Sequence, residues 1–141
     1  MFYRLDTNVI SETVRRAPER SVIEWLESIP ADALHVSVLT LGEIRRGVEG
    51  LADRKRKEKL RSWLEHQLPA WFAGRVLAID SAVADRWGRL LAQVGRPVPS
   101  IDSLLAATAL HHDLRLVTRN ARDFKYPDLE VVNPWLGGSG T

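Results

Sequence analysis

The sequence predicts an α/β fold: a three-layer α/β/α sandwich on a mostly parallel sheet of four or five strands. Three observations carry that expectation. Short runs of aliphatic and β-branched residues are bounded by turn residues, as strands are. Between them lie longer stretches whose apolar residues recur with helical spacing, so strand and helix alternate along the chain. The chain's 141 residues, 45% of them hydrophobic, suit one domain with a single core.

Tyr3 to Leu5 reads as a short strand, and the turn Asp6-Thr7-Asn8 leads into a short helix near Val9 to Thr13. Pro18 precedes a helix from Glu19 to about Ser28, with Val22, Ile23, Leu26 and Ile29 on one face. Leu34 to Val38 is a second strand, followed by a helix carrying Leu41, Ile44 and Val48. A long basic helix is expected from about Asp53 to Leu68, bent or ended at Pro69. Arg75 to Ile79 reads as a buried strand, and Asp80 or Ser81 can cap the helix that runs to Val94. Ser100 is a candidate cap for an Ala-rich helix through about His112, Leu114 to Thr118 a further strand, and Leu129 to Val132 the last. Residues 1–135 form the expected domain, and 136–141, ending Gly137-Gly138-Ser139-Gly140-Thr141, the expected flexible tail.

Composition removes several functions. Without cysteine there is no thiolate zinc site, disulfide or thiol nucleophile, which suits a reducing cytoplasm. No apolar stretch reaches the ~18 residues of a membrane span, and the N-terminus lacks a signal-peptide pattern. The Gly-x-Ser-x-Gly elbow, the phosphate-cradling Gly-x-x-x-x-Gly-Lys loop and the Gly-x-Gly-x-x-Gly fingerprint are all missing. The histidines show no metal-ligand spacing; His111 and His112 close a helix, where a positive ring is favourable anyway.

What remains is acidic. Asp6 closes the first strand, Glu43 sits in the helix after the second, and Asp102 is in the first turn of the Ala-rich helix. In an open α/β sheet, ligands bind beyond the carboxyl ends of the strands, and these positions, with Thr118-Arg119-Asn120, can face that edge. Each acid has an ordinary explanation: a turn residue, a surface ion pair, a helix-dipole partner. Carboxylates brought to one point are better explained by a cation between them, and oxygen-only ligands suit Mg²⁺ or Mn²⁺. Gly42 and Gly47 suggest a packing or access reason near Glu43, while Ala106 and Ala109 are expected to keep the surface beside Asp102 open. Between Arg45 and Arg61, eight cations, among them Arg54, Lys55, Arg56 and Lys57, form either a solvated face or a phosphate-contacting surface.

Four segments carry a family resemblance: Leu5-Asp6-Thr7-Asn8-Val9-Ile10-Ser11-Glu12, the Glu43 segment, Ile101-Asp102 through Ala109, and Val117-Thr118-Arg119-Asn120-Ala121-Arg122-Asp123-Phe124. With the closing Asn133-Pro134-Trp135, they resemble the PIN-domain ribonuclease toxins of the VapC type, near the FitB-like branch of type II toxin–antitoxin systems. The resemblance implies a Mg²⁺- or Mn²⁺-dependent endoribonuclease, a homodimer, neutralised by a cognate antitoxin through which alone it meets promoter DNA. Asp6, Glu43 and Asp102 would hold the ion; Thr7 and Asn120 would position water, and Arg119 with the basic stretch would contact the RNA backbone. Many of these proteins carry a fourth acid where this chain has Asn120, with Asp123 three residues on, so the fourth position lies between those two. A non-catalytic module whose acidic cleft binds an arginine is the alternative from another class. A phosphatase would want a second aspartate two residues after Asp6, where Asn8 stands.

Overall fold

The computed structural model describes residues 1–136. Its strands are β1 (Tyr3–Leu5), β2 (Leu34–Ser37), β3 (Val76–Leu77), β4 (Arg115–Val117) and β5 (Val131–Val132). They form one wholly parallel sheet in the order β3-β2-β1-β4-β5. The chain therefore builds outward from β1 in one direction, then returns to pair β4 with its other side. That reversal opens a crevice beyond the carboxyl ends of β1 and β4, the place where open α/β sheets bind ligands.

Register decides which side chains share a face. Leu5 lies beside Val117, which lies beside Val132, while Tyr3 lies beside Leu34. These residues join one buried layer with Val9, Ile10, Ile44, Val48, Leu68 and Phe72. The opposite face carries Leu116 against Leu90, Leu105, Ala106, Ala107, Phe124 and Tyr126. Each large side chain fully removed from water contributes about 1.5–3 kcal/mol. Arg4, beside His35 and Leu116, also belongs to this second face and is completely buried.

The helices are α1 (Thr7–Glu12), α2 (Arg20–Ser28), α3 (Val38–Glu49), α4 (Arg54–Ser62), α5 (Leu68–Trp71), α6 (Ser81–Val94) and α7 (Ser100–His111). In α3, Thr40, Ile44 and Val48 recur every four residues and are buried, which turns Glu43 outward. The Ser37 hydroxyl accepts the Leu39 amide at 3.1 Å and starts this helix one residue earlier than expected, so Val38 is helical, not strand. Asp80 caps α6 by accepting the Val83 amide at 2.9 Å, and Gly95 ends it at φ +70°, a conformation that costs glycine least.

Several expectations are corrected. The basic helix, expected to bend or end at Pro69, does not end there: α4 passes through a π turn at Trp63–Gln67 into α5, whose first turn holds Pro69. Proline has no N–H for a carbonyl one turn back, and the wider turn falls just before it. β3 is two residues long at the sheet edge and half-exposed, with Val76 39% accessible, rather than a buried strand. Pro99, not Ser100, occupies the cap position of α7. Ala106 and Ala109 do not hold surface open; both are fully buried, where small side chains let α7 lie close to its neighbours. A Cβ at Gly42 or Gly47 would meet nothing within 4 Å, so neither glycine serves close packing. Leu136, assigned to the tail, ends a 3₁₀ turn over Pro134–Leu136, and residues 137–141 of that tail lie outside the described residues.

Candidate functional site

Asp6 continues the direction of β1 with extended backbone and stands at the cap of α1. Its backbone carbonyl takes the amides of Val9 and Ile10, while its side chain makes no cap bond. The carboxylate is thereby released toward the crevice, where Oδ2 accepts the Thr118 hydroxyl at 2.8 Å. This bond spans the gap between β1 and β4, with the Asp6 amide bound to the Val117 carbonyl beneath it at 2.9 Å. Asn8 adds to the same junction: its Nδ2 donates to Thr118 Oγ1 at 3.2 Å, and its Oδ1 accepts the Arg119 amide at 3.2 Å. Asn8 is therefore a long-range tie, not the local turn residue that its setting suggests.

Thr118, which the sequence places at this edge without a role, is the hub of the junction. Fully buried, its hydroxyl donates to Asp6 and also accepts the Asn120 amide at 3.1 Å. Thr118→Val keeps the shape and removes every one of these bonds, leaving the Asn120 and Asn8 donors without their acceptor. It should cost about 1–3 kcal/mol of stability, read as a lower urea midpoint with unchanged slope.

Glu43 projects from the exposed face of α3, and its Oε1 accepts the Thr7 hydroxyl at 2.7 Å, which ties α3 to α1. Asp102 lies half-buried in the first turn of α7. Its carboxyl is pushed above the ordinary carboxylate range, first by burial, then by repulsion from Asp123, Asp6 and Glu43, with Arg4 pulling the other way. These acids thus share one electrostatic neighbourhood. Asp123 is exposed, acts on Asp102 more strongly than the other acids, and lines a 250 Å³ cleft with it; Asn120 does not line that cleft. The Asn120 side chain makes no cap bond, and its carbonyl accepts the Asp123 amide at 2.9 Å.

A raised folded-state pKa means that ionising Asp102 works against the fold, so its contribution is favourable below its unfolded pKa and lost as pH rises through the folded one. Asp102→Asn in chelator should raise the melting temperature by a few degrees near neutral pH. The gain should vanish in acid, where the wild-type carboxyl is already protonated. A scan of melting temperature against pH checks both limbs.

The residue types fit a hard divalent cation, since every candidate donor is oxygen and the carboxylates repel one another. As oriented, no group of three or more His, Asp or Glu side chains among the described residues stands ready to hold an ion. Magnesium sites commonly keep several waters and use one or two direct carboxylates, so bridging water would suit these acids.

The cations divide. Arg45 and Arg61 are held by Glu49 and Glu65, and the two arginines bring the Glu49 carboxyl down to about 2. Arg56 donates to the Val14 carbonyl at 3.1 Å and borders, with Thr7 and Glu43, an apolar groove of 270 Å³. Arg54 and Lys55 stand exposed, and neither they nor Lys57 line this groove. Arg96, Arg122 and Lys125 line the Asp102–Asp123 cleft, a basic rim hidden from the sequence because its members come from two separate loops. Arg119 has its guanidinium 5.4 Å from the Trp135 ring centroid, and its carbonyl accepts Asn133 Nδ2 at 3.2 Å. The closing Asn-Pro-Trp segment thus braces the Arg119 loop.

The model of the family described as PIN domain matches residues 3–128. The chain belongs to the PIN-domain family. The toxin FitB of Neisseria gonorrhoeae is 37% identical over 134 residues, covering 93% of this chain and 96% of that protein. A VapC ribonuclease, Y4jK of Sinorhizobium fredii, is 34% identical over the same shares of each. A solved structure of FitAB bound to an IR36 DNA fragment is similar at a TM-score of 0.86 and 35% identity, covering 95% of this chain and 96% of that one. The PIN-domain chain has the expected α/β/α architecture, with its sheet wholly parallel and five-stranded.

Proposed function

We propose that this PIN-domain chain is a Mg²⁺- or Mn²⁺-dependent endoribonuclease and the toxin of a toxin–antitoxin pair. The observation that carries this reading is the placement of Asp6 at the carboxyl end of β1, of Glu43 on its neighbour Thr7, and of Asp102 and Asp123 on one cleft. The names of the relatives, a toxin and a VapC ribonuclease, support it.

Asp6, Asp102 and Glu43 would hold the ion, with Asp123 rather than Asn120 as the further acid. When bound, a divalent ion supplies charge that makes water more acidic and offsets the negative charge developing on the phosphoryl oxygens. Thr118 fixes Asp6 and Thr7 fixes Glu43, so less side-chain ordering is left for the reaction itself. Asn120, exposed beside this group, would orient water. Arg119, Arg96, Arg122 and Lys125 would receive the RNA backbone, with Arg54, Lys55, Arg56 and Lys57 as outer contacts that position without reading sequence.

Neutralising Arg122 and Lys125 together should weaken single-stranded RNA binding about equally across sequences and flatten its salt dependence by about 1.4, at ~0.7 per phosphate contact. Arg54 and Lys55, further out, should give a smaller change. Titrations at several salt concentrations read both.

The antitoxin would lie in the groove bordered by Thr7, Glu43, Ile44, Gly47, Val48 and Arg56. Apolar side chains suit its floor, and a cation at its acidic end would take the metal's place. The solved FitAB complex bound to a DNA fragment supports an arrangement in which the pair meets DNA, here promoter DNA through the antitoxin. A homodimer in the cytoplasm completes the proposal. Among the described residues, no helix is long and apolar enough to cross a membrane.

One observation favours the non-catalytic reading: the acids already act on an arginine, Arg4, inside the chain. The decisive experiment incubates the purified protein with end-labelled RNA in Mg²⁺ or in chelator. Cleavage only with the ion supports the nuclease; intact RNA that is nonetheless bound supports the module. Turnover of a small phosphomonoester in its place would point to a phosphatase.

A further inference from the structure

Arg4 sits in the middle of the central strand, at a position that the register turns toward the α6 and α7 face. An aliphatic side chain would suit that apolar layer. Arg4 is instead completely buried, and its Nε and both Nη atoms have no hydrogen-bond partner. A buried guanidinium with no partner is costly, so its retention calls for an electrostatic reason. The charges acting on it are, in order of strength, Asp6, Glu43 and Asp102. A guanidinium keeps its charge even where it is buried. Arg4 and Asp6 are two residues apart on an extended chain, so both point to the same side of the sheet.

We infer that Arg4 is a resident counter-cation beneath the acidic cleft, which offsets the Asp6–Glu43–Asp102 charge while no ion is bound and weakens the binding of a divalent ion. The inference rests on the reading that these acids hold such an ion. Arg4 has no surface exposure, so it touches neither RNA nor solvent and acts only through the carboxylates. Its charge has the same sign as the metal's and faces the same acids. Each positive charge therefore lowers the benefit of adding the other. The consequence is a site that tolerates the metal-free state and requires more ion to fill than its acids alone would.

Calorimetric titration of Mn²⁺ into the metal-stripped full chain tests this, comparing wild type with Arg4→Met and Arg4→Gln, and with Asp6→Asn as the variant lacking a proposed ligand. Both neutral variants should bind Mn²⁺ roughly tenfold tighter or more. They should also show a larger rise in melting temperature between chelator and saturating Mn²⁺. A neutral variant that unfolds in chelator yet folds in millimolar Mn²⁺ supports the same conclusion, because the ion then replaces the missing charge. Equal or weaker binding by folded neutral variants overturns the inference alone, as does a variant unfolded under both conditions, which would make Arg4 a packing residue. If wild type and the Arg4 variants all fail to bind Mn²⁺, or Asp6→Asn binds as wild type does, the metal reading fails at Asp6 and the inference falls with it.

Discussion

Asp6→Asn is expected to lower RNA cleavage by roughly 10³-fold or more, since the charge stabilisation supplied by a bound metal is worth several kcal/mol. The substitution is close to isosteric. Its amide oxygen can still accept the Thr118 hydroxyl, so the tie between β1 and β4 survives while the carboxylate charge is lost. Far-UV circular dichroism should be unchanged and toxicity on induction abolished. Asp6→Asn protein that folds correctly and cleaves RNA at the wild-type rate would remove Asp6 from the site and, with it, the proposed centre.

The second large effect separates Asp123 from Asn120. Asp123→Ala should reduce cleavage by about 10²-fold, in line with losing a group that orders or charges a metal site. Asn120→Ala should cost less than about 10-fold, because the Asn120 backbone, not its side chain, makes the bonds to Thr118 and Asp123. Single-turnover cleavage at saturating metal compares them. The reverse order of effects would return the fourth position to Asn120.

Much of the fold was legible because short apolar runs bounded by turn residues alternate with longer stretches of helical apolar spacing. β1 and α6 show it plainly, and Asp80 and Ser81 both read as caps by residue type and position, of which the structure uses Asp80. What failed was local context. Ala106 and Ala109 resemble a small-residue patch until the packing of α7 buries them. Pro69 reads as a bend or an end, and only the π turn before it shows that the helical path continues. β3 looks buried by composition, but its place at the sheet edge is a property of topology, which residue type does not encode.

The site divides in the same way. Asp6 and Asp102 stand out because each lies at an element end that an α/β sheet sends to one edge, and Glu43 because it is an acid in the helix after the second strand. Thr118 was placed at that edge but its role was not legible, because a threonine after a strand is unremarkable until its partners 110 and 112 residues away are known. Arg4 did leave a signal: a lone charge at the centre of the first strand breaks its apolar run, and a charge there must be paired or used. The rim of Arg96, Arg122 and Lys125 left none, since only folding brings those loops together.

Diffraction from crystals grown in Mn²⁺, measured at a wavelength where manganese scatters anomalously, tests the central claim most directly. The account predicts an anomalous peak among the Asp6, Glu43, Asp102 and Asp123 carboxylates, with Mn–O distances of about 2.0–2.2 Å and water completing the shell. A fully soaked crystal with no peak in that cleft, from protein that cleaves RNA in the same buffer, would contradict it.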